Sequence, residues 1–122
     1  LSLEPYHSAP RYANLSAVPP LPYFAVIFTS ELARSAQGYD AMSARTAELA
    51  AQQPGFLGFD SVRGEQGRGI TVSYWSSRDS IRAWKAQAEH RDAQARGRGE
   101  WYPRYRIRIA EVTEEYGVGE EE

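Results

Sequence analysis

The run Tyr23-Phe24-Ala25-Val26-Ile27-Phe28-Thr29-Ser30 limits what this chain can fold into more than any other stretch. Successive side chains of a strand point to opposite faces. Here both sets are apolar: Tyr23, Ala25 and Ile27 on one, Phe24, Val26 and Phe28 on the other. A strand buried on both sides sits centrally in a sheet that is covered twice.

The rest of the chain supplies the partners of that strand. Ser35 to Gln53 reads as a helix, with Tyr39, Met42, Thr46 and Leu49 forming one apolar stripe and Pro54-Gly55 stopping it. Phe56 to Arg63 and Ile70 to Trp75 read as strands, joined by the glycine-rich hairpin Gly64 to Gly69. That hairpin lacks the GxxxxGK[ST] pattern and opens no helix, so it is a turn and not a phosphate loop. Ser76 or Ser77 caps a second helix, with Asp79 in its first turn. Its buried stripe is Ile81, Trp84, Ala88 and Ala95, and Gly97 and Gly99 end it. Trp101 and Tyr102 fasten the start of a last strand from Tyr105 to Tyr116.

Three segments follow: a proline-rich arm over 1–22, a folded domain over 23–116 and an acidic tail over 117–122. The arm carries Pro5, Pro10, Pro19, Pro20 and Pro22, which make it extended. Tyr6, Tyr12, Leu15 and Val18 give it apolar groups with which to dock on the body or on a partner subunit.

Composition narrows the function. The formal net charge is −2, so there is no basic field for nucleic acid. Cysteine is absent, which excludes disulfides, thiolate zinc sites and thiol catalysis. His7 and His90 are the two histidines, and neither lies in a metal-binding spacing, so no metal is expected. No apolar run is long enough to cross a bilayer, and no signal-peptide pattern opens the chain. A soluble, cytoplasmic protein is the expectation.

The order strand, helix, strand, strand, helix, strand is the ferredoxin-like βαββαβ arrangement. The expected fold class is α+β, a four-stranded antiparallel sheet with both helices on one face. Two helices cover one face only, yet the first strand is apolar on both. A second copy packed sheet to sheet about a two-fold axis would cover the other, and a homodimer is expected.

The segments 23–30, 47–58 (AELAAQQPGFLG), 70–75 (ITVSYW) and Ala83-Trp84-Lys85 together resemble the antibiotic biosynthesis monooxygenase family of dimeric α/β-barrel proteins. The resemblance covers residues 22–116 and leaves the arm outside. It implies a monooxygenase that needs no cofactor and acts on an aromatic, polyketide-like small molecule. Such an enzyme requires a dry site that assists loss of a substrate proton and stabilises the carbanion that then reduces O2. The alternative on the same scaffold is a non-catalytic ligand-binding or stress-related dimer. The third reading is the family's second branch, which binds and degrades haem, with an Asn on the first strand and a Trp and an axial His on the second helix. Trp84 matches that Trp. Phe28 or Thr29 stands near the Asn position and Gln94 near the axial one, so the haem pattern fits poorly and no cofactor is expected.

The candidate site residues are His90, Trp84 and Tyr74. His90 is the one imidazole of the domain body and the one ordinary base near neutral pH. In an unbroken helix it lies about 120° from Trp84, opposite the buried stripe, unless a kink between Lys85 and Glu89 changes the phase. Trp84 either packs in the core or lines a pocket. Tyr74 and Trp75 alternate, so one faces the helices and the other the partner sheet; Tyr74 would donate a hydrogen bond to a phenolate oxygen. Arg91, Arg96, Arg98, Arg104, Arg106 and Arg108 make a local basic cluster, read as ordinary surface ion pairs.

Overall fold

The computed structural model describes residues 7–8, 19–32, 46–95 and 104–119. Its elements are β1 (His7–Ser8), β2 (Tyr23–Glu31), a helical segment α1 over 46–51, β3 (Phe56–Arg63), β4 (Arg68–Trp75), α2 (Arg78–Ala95) and β5 (Arg104–Val112). The strands form one antiparallel sheet in the order β1-β3-β4-β2-β5. Without β1 this is the four-stranded ferredoxin-like sheet, with β2 and β4 in its centre. The doubly apolar β2 is thus flanked on both sides, by β4 and β5.

Two differences from the sequence reading concern the ends. The arm contributes a fifth, two-residue strand, pairing His7 with Ser61 and Ser8 with Asp60. The last strand leaves the ladder at Val112, where Tyr116 was expected. Past that point Glu115 accepts a hydrogen bond from the Tyr23 hydroxyl, and Tyr116 is 89% exposed. The segment is therefore drawn to a side-chain partner instead of a neighbouring strand. The expected first half of α1, the Gly97 and Gly99 stop, Trp101 and Tyr102, Tyr6, Tyr12, Leu15 and Val18 of the arm, Arg96 and Arg98, and the last three glutamates lie outside the described residues. So do the side chains of Arg91 and Ala95.

Two turns fix how the layers meet. After α1, Gly55 has φ +87°, and its carbonyl accepts the Ser76 amide at 2.8 Å. A Cβ on Gly55 would lie 2.6 Å from the Ser80 Cβ, so only glycine lets this turn pack on the start of α2. Ser77 is the helix cap: its Oγ accepts the Ser80 amide at 3.1 Å, and the Ser80 hydroxyl donates back to the Ser77 carbonyl at 2.8 Å. The Gly64 to Gly67 connection joins two antiparallel strands as a turn, with Gly67 at φ +88° and its carbonyl taking the Leu32 amide at 2.9 Å.

Candidate functional site

Register divides the sheet into two faces. Directly opposed residues in an antiparallel pair share a face. Phe24, Trp75 and Phe56 are opposed in this way, as are Val26, Ser73, Phe59 and Ile109. Next along the same face come Phe28, Thr71, Ser61 and Ile107, and then Ser30, Gly69, Arg63 and Tyr105. This is the side that α2 covers, because Trp84 of α2 stacks on Trp75, ring centroids 6.3 Å apart and 24° from parallel. Trp75 is fully buried, and its Nε1 donates to the Ser73 Oγ at 2.9 Å. Phe56 meets it edge to face at 5.3 Å, and the Arg78 guanidinium lies 5.0 Å above the Phe24 ring.

The middle of the helix side is chemically mixed. Ser61 and Thr71 hydroxyls are hydrogen-bonded at 2.7 Å, and Ser73 lies next along β4. Around them stand the rings of Phe59 and Phe28, the latter 5.6 Å from Tyr105. Val26, Phe28, Phe59, Ser61, Thr71 and Ser73 are all half-buried, so this surface is sheltered without being closed. At the hairpin end the Arg63 guanidinium lies over Gly69 and donates to the Gly67 carbonyl and, at 3.1 Å, to the Ser30 Oγ. These hydroxyls are hydrogen-bonded, Ser61 with Thr71 and Ser73 with the Trp75 Nε1, so the half-buried row is not costly where it stands. It is suited to holding the oxygens of a flat ring system whose faces rest on aromatic side chains.

The three candidates read from the sequence are not brought together. Trp84 stands on the helix side. Tyr74 points to the other face, where its hydroxyl donates to the Asp60 carboxylate at 3.2 Å and its ring meets Tyr23 edge-on at 6.2 Å. The open alternation between Tyr74 and Trp75 is thereby resolved: Trp75 faces α2. Helix α2 is unbroken from Arg78 to Ala95, so the phase difference of about 120° between positions 84 and 90 stands. The side chain of His90 lies outside the described residues.

Phe56 and Phe59 escaped the sequence reading. Three apart in a strand, they belong on opposite faces by simple alternation. A bulge between Phe56 and Gly58 removes one step, so both rings face α2, 6.4 Å apart. Gly58, inside the strand at φ +144°, was the available signal. The hydroxyl row was visible as Ser61, Thr71 and Ser73, but only cross-strand register aligns it.

The donors do not suit haem. At the first-strand position the helix side is occupied by Phe28, which has no donor atom, and Thr29 belongs to the opposite face. Among the described residues no group of three His, Cys, Asp or Glu side chains could hold a metal ion, and no helix is long and apolar enough to cross a membrane.

Comparison with known proteins agrees with this geometry. The chain is 50% identical over 98 residues to the uncharacterized protein YqjZ of Bacillus subtilis (strain 168), covering 80% of this chain and 86% of the relative. Its fold is similar to SnoaB, a cofactor-independent oxygenase from Streptomyces nogalater solved in mutant form, with TM-score 0.58, 18% identity and coverage of 80% and 98% of the two chains. It is also similar to PA3566 from Pseudomonas aeruginosa, with TM-score 0.59, 13% identity and coverage of 78% and 96%. The sequence profile of the antibiotic biosynthesis monooxygenase family matches residues 33–96, from before α1 to the end of α2. With its βαββαβ sheet and with Trp84 stacked on Trp75 inside the matched span, this chain belongs to the antibiotic biosynthesis monooxygenase family.

Proposed function

We propose that this chain is a cofactor-independent monooxygenase acting on an aromatic, polyketide-like small molecule held between the sheet and the helices. The observation that carries the reading is the half-buried helix side of the sheet, where Ser61, Thr71 and Ser73 run beside the rings of Phe59, Phe56, Trp75 and Trp84. Family membership and the likeness to an oxygenase of stated cofactor independence support it.

The chemistry asks little of the protein beyond binding and charge stabilisation. A CH2 group between aromatic rings loses a proton, and its electrons delocalise onto the ring oxygen. Hydroxyl donors beside that oxygen lower the cost of the negative charge. The carbanion reduces O2 and a C–O bond forms. The resulting peroxide loses water as its O–O bond breaks, leaving a carbonyl on the former CH2 carbon. One oxygen atom enters the product and the other leaves as water.

In this reading Trp84 and Trp75 form the wall, and the first proton passes to solvent, because the unbroken helix sets position 90 about 120° from Trp84. Tyr74, on the other face, has no direct part. Oxygen uptake with a panel of anthrones tests the reading: wild type consumes one O2 per substrate turned over, and His90→Ala, about 120° around the unbroken helix from Trp84, consumes it equally. Saturable binding without uptake would replace the oxygenase with a ligand-binding dimer, and a loss of about 100-fold in His90→Ala, the scale of a lost general base, would make His90 the base after all.

A further inference from the structure

The helix side of the sheet changes character from one end to the other. Phe56, Trp75 and Trp84 wall one end, and the hydroxyls of Ser61, Thr71 and Ser73 occupy the middle. The hairpin end is the row Ser30, Gly69, Arg63 and Tyr105. Among the described residues, Arg63 is the one charged side chain that β2 to β5 turn towards α2 in the three rows from that end to Ser73.

The Arg63 side chain is half-buried and lies across β4. A Cβ on Gly69 would stand 2.7 Å from its Cζ and 2.9 and 3.0 Å from its two terminal nitrogens. The carbon is nearer than the nitrogens, so the guanidinium lies flat on the Gly69 backbone, an approach that a side chain there would block. Its Nη2 reaches over β4 to donate to the Ser30 Oγ at 3.1 Å, and Ser30 is 2% exposed, so this end is held from inside the fold. Its Nη1 donates to the Gly67 carbonyl, which already accepts the Leu32 amide. The hairpin therefore does not depend on Arg63 for its closure. Thr71 is two residues along β4 from Gly69, about 7 Å away.

We infer that Arg63 selects a substrate bearing a carboxylate and holds that group at the hairpin end while the rings rest towards the two tryptophans. The inference rests on the reading of the helix side as the site of an aromatic substrate. A guanidinium matches a carboxylate in shape and charge, and a charged acceptor outcompetes neutral ones for its N–H groups. With the acid on Arg63, the hydroxyls one row away are left for the ring oxygen on which negative charge develops. The face then admits an aromatic acid in one orientation.

Two ligands that cannot react with O2 test this, an anthraquinone carboxylate and the matching neutral carboxamide, titrated by calorimetry near neutral pH. Wild type is expected to bind the carboxylate at least about tenfold more tightly, the scale of a charge-assisted hydrogen bond. Arg63→Gln is expected to bind the two alike, with its affinity for the carboxamide unchanged. Arg106→Gln, whose charge belongs to the opposite face, is expected to keep the wild-type preference. Equal affinities in wild type would overturn the role of Arg63 while leaving the aromatic site standing. Loss of both ligands in a folded Arg63→Gln would overturn it too, because a residue that only supports the sheet behaves so. Binding of neither ligand by wild type would overturn the site itself and this inference with it. If Arg63→Gln does not fold, Gly69→Ala makes the same test: its Cβ displaces the guanidinium and keeps the charge, and an undiminished preference for the carboxylate would overturn the inference.

Discussion

The Trp84 ring rests on the Trp75 ring at 6.3 Å, and this one contact fixes which side of the sheet α2 covers. Trp75 has no exposed surface, whereas Trp84 is half-buried. The two indoles therefore carry different loads. Trp75→Ala removes the packing of α2 and Phe56 together and is expected to cost about 3–5 kcal/mol of stability. Trp84→Ala should cost about 1–3 kcal/mol and leave a folded protein. Urea unfolding of both variants checks this; equal costs would mean that Trp84 is as deeply packed as its neighbour.

Gly55 and Gly69 give a second contrast. At Gly55 an added Cβ meets the Ser80 Cβ at 2.6 Å while φ is +87°, so space and backbone both forbid it. At Gly69 the nearest atom is the Cζ of Arg63 at 2.7 Å, the far end of a side chain that can move. Gly55→Ala is expected to cost about 1–3 kcal/mol, and Gly69→Ala under about 1 kcal/mol. Thermal unfolding that ranks them the other way would contradict the turn geometry at Gly55.

The Ser77 cap is open to a simple measurement. Ser77→Ala strips the Ser80 amide of its acceptor and should cost about 1 kcal/mol, or about 4–8 °C in Tm. Ser77→Asp should keep most of the stability, since a carboxylate both accepts that amide and suits a helix N-terminus. Loss in both would mean that the hydroxyl is needed for its contact with the Ser80 Oγ.

Much of the fold was legible because hydrophobic periodicity is a local signal. The doubly apolar run 23–30, the stop at Pro54-Gly55 and the cap at Ser76 or Ser77, which the structure gives to Ser77, each name their own element. The candidate site was less legible because it is a property of register. Thr71 opposes Ser61, and Ser73 opposes Phe59, in the register set by the hairpin turn, and a bulge between Phe56 and Gly58 then brings Phe56 to the same face. Counting by two through that bulge would send Phe56 and Phe59 to different faces. Tyr74 attracted attention as an aromatic beside Trp75, yet strict alternation on β4 puts it with Asp60 on the far side of the sheet.

That alternation makes the location of the site testable with two adjacent residues. Thr71 faces α2 and Val72 faces away, one peptide apart on β4. Oxygen uptake with an anthrone substrate is measured for wild type, Thr71→Phe and Val72→Thr. With the substrate on the helix side, Thr71→Phe fills its place and cuts kcat/KM at least about 100-fold, while Val72→Thr, of similar shape, leaves it unchanged. Undiminished turnover in Thr71→Phe, or a loss confined to Val72→Thr, would contradict a site between the sheet and α2.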